Sequence, residues 1–145
     1  MVTLPRAVLR VIQAQAEAAY PHEGAGLLLG LATGPDKQVM AAYPLSNRTE
    51  TAEQYHRYLL TPDDMLSGEN AAAAQGWDVI GIFHSHPDHP ARPSAFDRDW
   101  ALPWYAYLIT SVEKGHVADL AAWRLKEDRS AFDAEGLQVQ EEISN

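Results

Sequence analysis

At 145 residues, 46% hydrophobic and 21% charged, the chain has the size of one compact domain with a sizeable buried core, so a single domain over 1–145 is expected. Its 11 basic and 20 acidic side chains give a net charge of -9 with no Lys/Arg-rich run, which argues against a nucleic-acid partner because phosphate would meet long-range repulsion. There is no cysteine. That excludes disulfides, thiolate nucleophiles and sulfur-ligated zinc, and leaves imidazole and carboxylate to hold any metal.

Met1 to Arg10 lacks a basic stretch followed by a continuous apolar one, and no later segment approaches membrane-spanning length; a cytoplasmic protein away from membranes is the expectation. From Pro5 to about Tyr20, Val8, Val11, Ile12, Ala16 and Ala19 recur at helical spacing, with Thr3 as candidate cap. Ala25 to Leu31 is a short apolar run that reads as a strand buried on both faces, and Gln38 to Leu45 as a second strand after the Gly34-Pro35-Asp36 turn. Ser46 to Gln54 reads as polar loop and Tyr55 to Leu60 as a further strand. Thr61-Pro62-Asp63-Asp64 opens a helix that ends near Gln75 and is closed by Gly76.

Trp77 to Phe83 reads as a central strand that runs directly into His84-Ser85-His86. A Pro-rich loop, Pro87 to Pro93, leads to a short helix near Ser94. Tyr105 to Val112 and the alternating stretch Val117 to Lys126 read as strands, and Leu137 to Val139 as either a short edge strand or a frayed end. The class is α/β (α+β), a mixed β-sheet flanked by helices.

The chemistry gathers at the strand end. His84 and His86 point to one face while Ser85 points away, and at about 3.3 Å rise per residue their imidazoles start close enough to share one ion. Asp97, on the next helix, is the candidate third ligand. Three ligands leave a vertex for water, whose pKa would fall towards about 7. Glu23, immediately before the apolar strand, is the candidate base if that strand neighbours the His84/His86 strand. Ser94 can donate its hydroxyl to a developing oxyanion.

His84-Ser85-His86-Pro87, then six residues, Ser94, two residues and Asp97, with Glu23 far upstream, resembles the motif H-x-H-P-x6-S-x2-D of the JAMM (MPN+, Mov34/MPN/PAD-1) zinc metalloproteases. The resemblance covers roughly Leu4 to Trp123, with no departure at the five positions. It implies a cytidine-deaminase-like JAMM/MPN fold, one Zn2+ per chain on His84, His86 and Asp97, Glu23 as general acid/base and Ser94 as oxyanion stabiliser. The chain looks most like the small, stand-alone bacterial branch. That likeness alone implies a ubiquitin-like protein of the sulfur-carrier type as substrate, cut by peptidase or isopeptidase action at its C-terminal tail.

Plainer readings stand beside these. An isolated S-x-x-D is more often a helix capping box, and a carboxylate committed to zinc is expected to have little freedom left for the helix backbone. An isolated H-x-H is more often a pair of partly buried histidines. His89 is assigned at most a substrate contact; Trp100 and Trp104, close behind the metal helix, are candidate borders of a substrate groove. A non-catalytic scaffold of the same fold and a PHP-type metal-dependent phosphoesterase are the alternative functions. Isopeptide versus linear preference, the substrate's identity and the oligomeric state stay open.

Overall fold

A computed structural model of the chain describes residues 1–45 and 60–141. The elements in chain order are β1 (Val2–Pro5), α1 (Arg6–Ala19), β2 (Ala25–Thr33), β3 (Asp36–Leu45), α2 (Pro62–Ala74), β4 (Asp78–Pro87), α3 (Ala95–Trp100), β5 (Ala106–Glu113), β6 (His116–Leu125), β7 (Phe132–Glu135) and β8 (Leu137–Gln140). The loop read at Ser46–Gln54 lies outside the described residues, as does the strand read at Tyr55–Leu60 except for Leu60, which is in no strand.

The strands form one mixed sheet in the order β7-β6-β5-β4-β2-β3-β1-β8. β4 lies inside it, antiparallel to β2 and parallel to β5. Ile80 to Pro87 are buried without a break, as expected of a strand covered on both faces. Gly26 of β2 allows this packing, since a Cβ there would sit 2.2 Å from the Phe83 ring.

α1 covers one face. Its buried stripe is Val8, Leu9, Ile12 and Ala16, the first three packed with Leu28, Val39, Ile80, Phe83 and Leu108; each of those three contributes about 1.5–3 kcal/mol by leaving water. The sequence places Val11 in that stripe, yet it is 44% exposed. At 100° per residue, positions 8, 9, 12 and 16 define a narrow face that position 11 misses. Thr3 is not the cap either: it lies in β1 and donates to Gln38 Oε1 at 2.7 Å, while Pro5 precedes the helix with no side-chain cap.

The opposite face carries Ala25, Leu27, Leu29, Ile82 and Tyr107, covered by Ala72 of α2 and by the segment around Ala101. A bulge where Leu28/Leu29 oppose Gly81/Val79 leaves Ile80 as the extra residue of β4. Beyond it the alternation resets, so Ile82, His84 and His86 share the α2/α3 face while Phe83 and Ser85 turn towards α1.

β1 and β7 are absent from the sequence reading, and β8 settles the choice at Leu137–Val139 in favour of a strand. β7 pairs with β6 and β8 with β1, separated only by Gly136, whose carbonyl accepts from Val2 N–H at 2.7 Å. A single extended segment thus holds both ends of the strand order, and the sheet curls back on itself.

Candidate active site

Four ionisable side chains converge at the C-terminal half of β4. Ala25 pairs with His84 across the β2/β4 ladder, and continuing that antiparallel register sets Glu23 opposite His86. Glu23, as expected, is a neighbour of the histidine strand. His84 Nδ1 lies 3.5 Å from Glu23 Oε1, and His84 Nε2 lies 3.3 Å from Asp97 Oδ1. His86 Nε2 lies 3.2 Å from Asp97 Oδ2, with the two imidazole centroids 5.0 Å apart. Glu23, His84 and Asp97 are each 2% exposed or less, and His86 8%. Groups this polar are removed from water only when other charges or ions compensate them.

Asp97 also belongs to a capping box. Ser94 Oγ accepts from Asp97 N–H at 3.1 Å, and Asp97 Oδ2 accepts from Ser94 N–H at 2.7 Å. Asp97 serves the cap and touches the two imidazoles together. One carboxylate has two oxygens and several lone pairs, so Oδ2 serves the helix and His86 while Oδ1 faces His84. Ser94 spends an acceptor lone pair on the cap and keeps its hydroxyl hydrogen for another partner.

The local electrostatics follow from these contacts. Burial by itself would raise the Asp97 carboxyl, but the charge on His84, the hydrogen bond to His86 and the Ser94 N–H outweigh it and hold Asp97 at about 2. Burial by itself would lower the His86 imidazole. The Asp97 hydrogen bond, the Pro90 carbonyl and the nearby charges of Asp97 and Glu23 leave it raised.

The Pro-rich loop after β4 is held at several points. Asp88 N–H donates to Val112 O at 2.7 Å, Ser111 Oγ donates to the His89 carbonyl at 2.6 Å, and Trp123 Nε1 donates to the Ala91 carbonyl at 2.9 Å. Beneath the loop, Glu23, His86, Pro87, His89, Arg92 and Ser94 line a groove of about 270 Å³ that also takes in Pro90. His89 is therefore placed where a substrate could touch it. Trp104 is not: it stands 64% exposed at a separate concavity with Arg124 and Lys126, and the Trp100 side chain lies outside the described atoms. The sequence reading assigns no hydrogen bond to Ser85, Gln15 or Trp123, whose side chains bond backbone groups of segments around the site; their only sequence signal is a polar or indole group in an otherwise apolar setting.

The donor set fits a divalent cation. Ligand atoms of Glu23, His84 and His86 lie within 4.8 Å of one another, and Asp97 contacts both imidazoles. His86 Nδ1 is 2.9 Å from the Pro90 carbonyl. If Nδ1 carries the proton and donates there, Nε2 is left as the ligating nitrogen, the usual arrangement for a metal-bound histidine.

The family model for prokaryotic homologs of the JAB domain matches residues 5–126. The desampylase of Haloferax volcanii is 40% identical over 92 residues, a match that spans 63% of this chain and 63% of that protein. A probable TtuB-protein conjugate cleaving protease of Thermus thermophilus is 30% identical over 107 residues, 72% of this chain and 68% of its own. Among solved structures, a Desulfitobacterium hafniense protein superposes with a TM-score of 0.85 at 34% identity, covering 99% of this chain and 95% of that one. A JAB1/MPN domain protein of Archaeoglobus fulgidus superposes at 0.58 with 19% identity, covering 96% and 98%, a likeness of fold alone. The chain belongs to the prokaryotic branch of the JAB/MPN (JAMM) domain family.

Proposed function

We propose that this chain is a zinc-dependent metallopeptidase or isopeptidase that hydrolyses a peptide or isopeptide bond at the C-terminal tail of a ubiquitin-like protein of the sulfur-carrier type. The observation that carries this reading is a single buried carboxylate, Asp97, touching Nε2 of both His84 and His86, with the second carboxylate, Glu23, on the far nitrogen of His84. His84, His86 and Asp97 are the proposed ligands. The names of the Haloferax and Thermus relatives support a substrate that is a ubiquitin-like conjugate. Among the described residues no third histidine joins the cluster, which favours one cation over the several that a PHP-type phosphoesterase requires.

When bound, a zinc ion supplies a Lewis acid for the scissile carbonyl and makes a coordinated water acidic near neutral pH. Glu23 takes the proton of the attacking water and passes it to the leaving amine, which needs a carboxylate placed beside the cation without being consumed as a ligand. Ser94, its oxygen anchored by Asp97 N–H, donates its hydroxyl to the oxyanion as the carbonyl carbon becomes tetrahedral. The extended tail lies in the groove lined by Glu23, His86, Pro87, His89, Arg92 and Ser94.

Glu23→Gln tests the division of labour between the two carboxylates. Metal content after dialysis should match wild type, while cleavage of a ubiquitin-like conjugate, read by product mass, falls about 10²- to 10⁴-fold. Loss of the metal in Glu23→Gln, with retention in Asp97→Ala, would reverse the two roles.

A further inference from the structure

The β2/β4 ladder runs from Gly30 opposite Asp78 down to Ala25 opposite His84, and stops there. Gly24 and Ser85 would be the next pair. Ser85 N–H still donates to the Gly24 carbonyl at 2.9 Å, but the return bond is different: Gly24 N–H donates to Ser85 Oγ at 2.8 Å. A hydroxyl has taken the place of a backbone carbonyl. The two strands therefore begin to diverge at Gly24, immediately after Glu23, and remain tied as they do so.

α1 closes on the same point from the other side. Gln15 Nε2 donates to the Ala25 carbonyl at 2.6 Å, and a Cβ on Gly24 would meet Gln15 Oε1 at 2.6 Å and Ala19 Cβ at 3.2 Å. Ser85 is 2% exposed and turned away from the face that carries His84 and His86, so it reaches neither a substrate in the groove nor a cation between the imidazoles.

We infer that Ser85 is a positioning residue for Glu23: by accepting the Gly24 N–H it fixes where the adjoining carboxylate stands beside His84. This rests on the reading of Glu23 as the proton carrier. Without the hydroxyl, a buried N–H loses its acceptor. The Gly24 peptide then turns to find another, and Glu23, one residue away, moves with it. A displacement near 1 Å at a reacting group costs about 10²-fold in rate.

The test uses the zinc-loaded full chain as wild type, Ser85→Ala, Ser85→Thr and Gln15→Ala. Amide exchange at Gly24, bound metal, kcat and KM are measured for each. Ser85→Ala should raise Gly24 exchange at least about tenfold and lower kcat about 10- to 100-fold, with KM and bound metal unchanged. Ser85→Thr, which keeps the hydroxyl, should restore both. Gln15→Ala, acting from the helix side, should shift both in the same sense by less, and it carries the test if Ser85→Ala does not fold. An unchanged kcat alongside faster Gly24 exchange overturns the inference, as does a loss of metal that parallels the loss of rate. If wild type hydrolyses no conjugate, the functional reading fails separately, while Gly24 exchange and the Glu23 position in a Ser85→Ala crystal structure still decide whether the tie holds the carboxylate.

Discussion

Two helices of this protein open with the same device. At α2, Thr61 Oγ1 accepts from Asp64 N–H and Asp64 Oδ2 accepts from Thr61 N–H, both at 3.1 Å. At α3, Ser94 and Asp97 repeat the pattern at 3.1 and 2.7 Å. Asp64 is 4% exposed and Asp97 2%, so burial does not separate them. The difference lies across from the cap: Asp97 turns its other oxygen to His84, whereas Asp64 opens a 13-residue helix whose Ala72 packs on the sheet. A local motif states how a helix begins. What its carboxylate does beyond that is decided by the strand folded against it.

Substitutions at matched positions can break this comparison. The largest effect is expected from Asp97→Asn, which keeps an oxygen for the Ser94 N–H but loses the charge. Metal affinity should fall more than about 100-fold, beyond what loss of an outer partner costs, and the metal-free protein should also lose on the order of 1–3 kcal/mol at neutral pH, because the ionised carboxylate is the form that His84, His86 and the Ser94 N–H hold. Asp64→Asn should leave metal titrations unchanged, and any weakening there would mean that the two boxes are not functionally distinct.

Next come the capping hydroxyls. Ser94→Ala and Thr61→Ala should each cost about 1 kcal/mol in denaturant unfolding. Only Ser94→Ala should also lower kcat, by about 10²- to 10³-fold if its hydroxyl faces the oxyanion. Equal rates for the two variants would remove Ser94 from the chemistry.

The smallest effect concerns the groove wall. Among the described residues, Arg6, Arg98 and Arg124 each lie beside a carboxylate and Arg129 donates to carbonyls, whereas Arg92 borders the groove with no carboxylate paired to it. Arg92→Ala should raise KM about fivefold for tails that carry an acidic residue near the scissile bond and leave kcat alone. An equal change for neutral tails would assign Arg92 to the loop rather than to the substrate.

Much of this was legible in the sequence because strong local signals coincide with the elements that build the site. The apolar run at Ala25, the WDVIGIF strand and the Thr61 and Ser94 openings are all local. What could not be read is long-range. β1 and β7 are four-residue strands whose patterns are too short to register, and they exist because distant partners supply their hydrogen bonds. Val11 and Leu9 exchange roles because the face that α1 buries depends on the sheet beneath it. Ser85 was visible only as a residue pointing the wrong way for ligation, since its value depends on Gly24, 61 positions away. The sharing of Asp97 between the helix cap and the two imidazoles likewise needs the placement of two individual oxygens.

The segment from Phe132 to Gln140 gives the protein a particular order of assembly. Val2 leaves the ribosome well before its partner Leu137, which lies beyond every other described strand of the sheet. Until then β1 and β6 each present a row of bare backbone groups, the condition under which nascent sheets adhere to one another. Arrival of this segment caps both at one stroke, so the stretch least distinctive in sequence is the one that ends the exposure of these two strands.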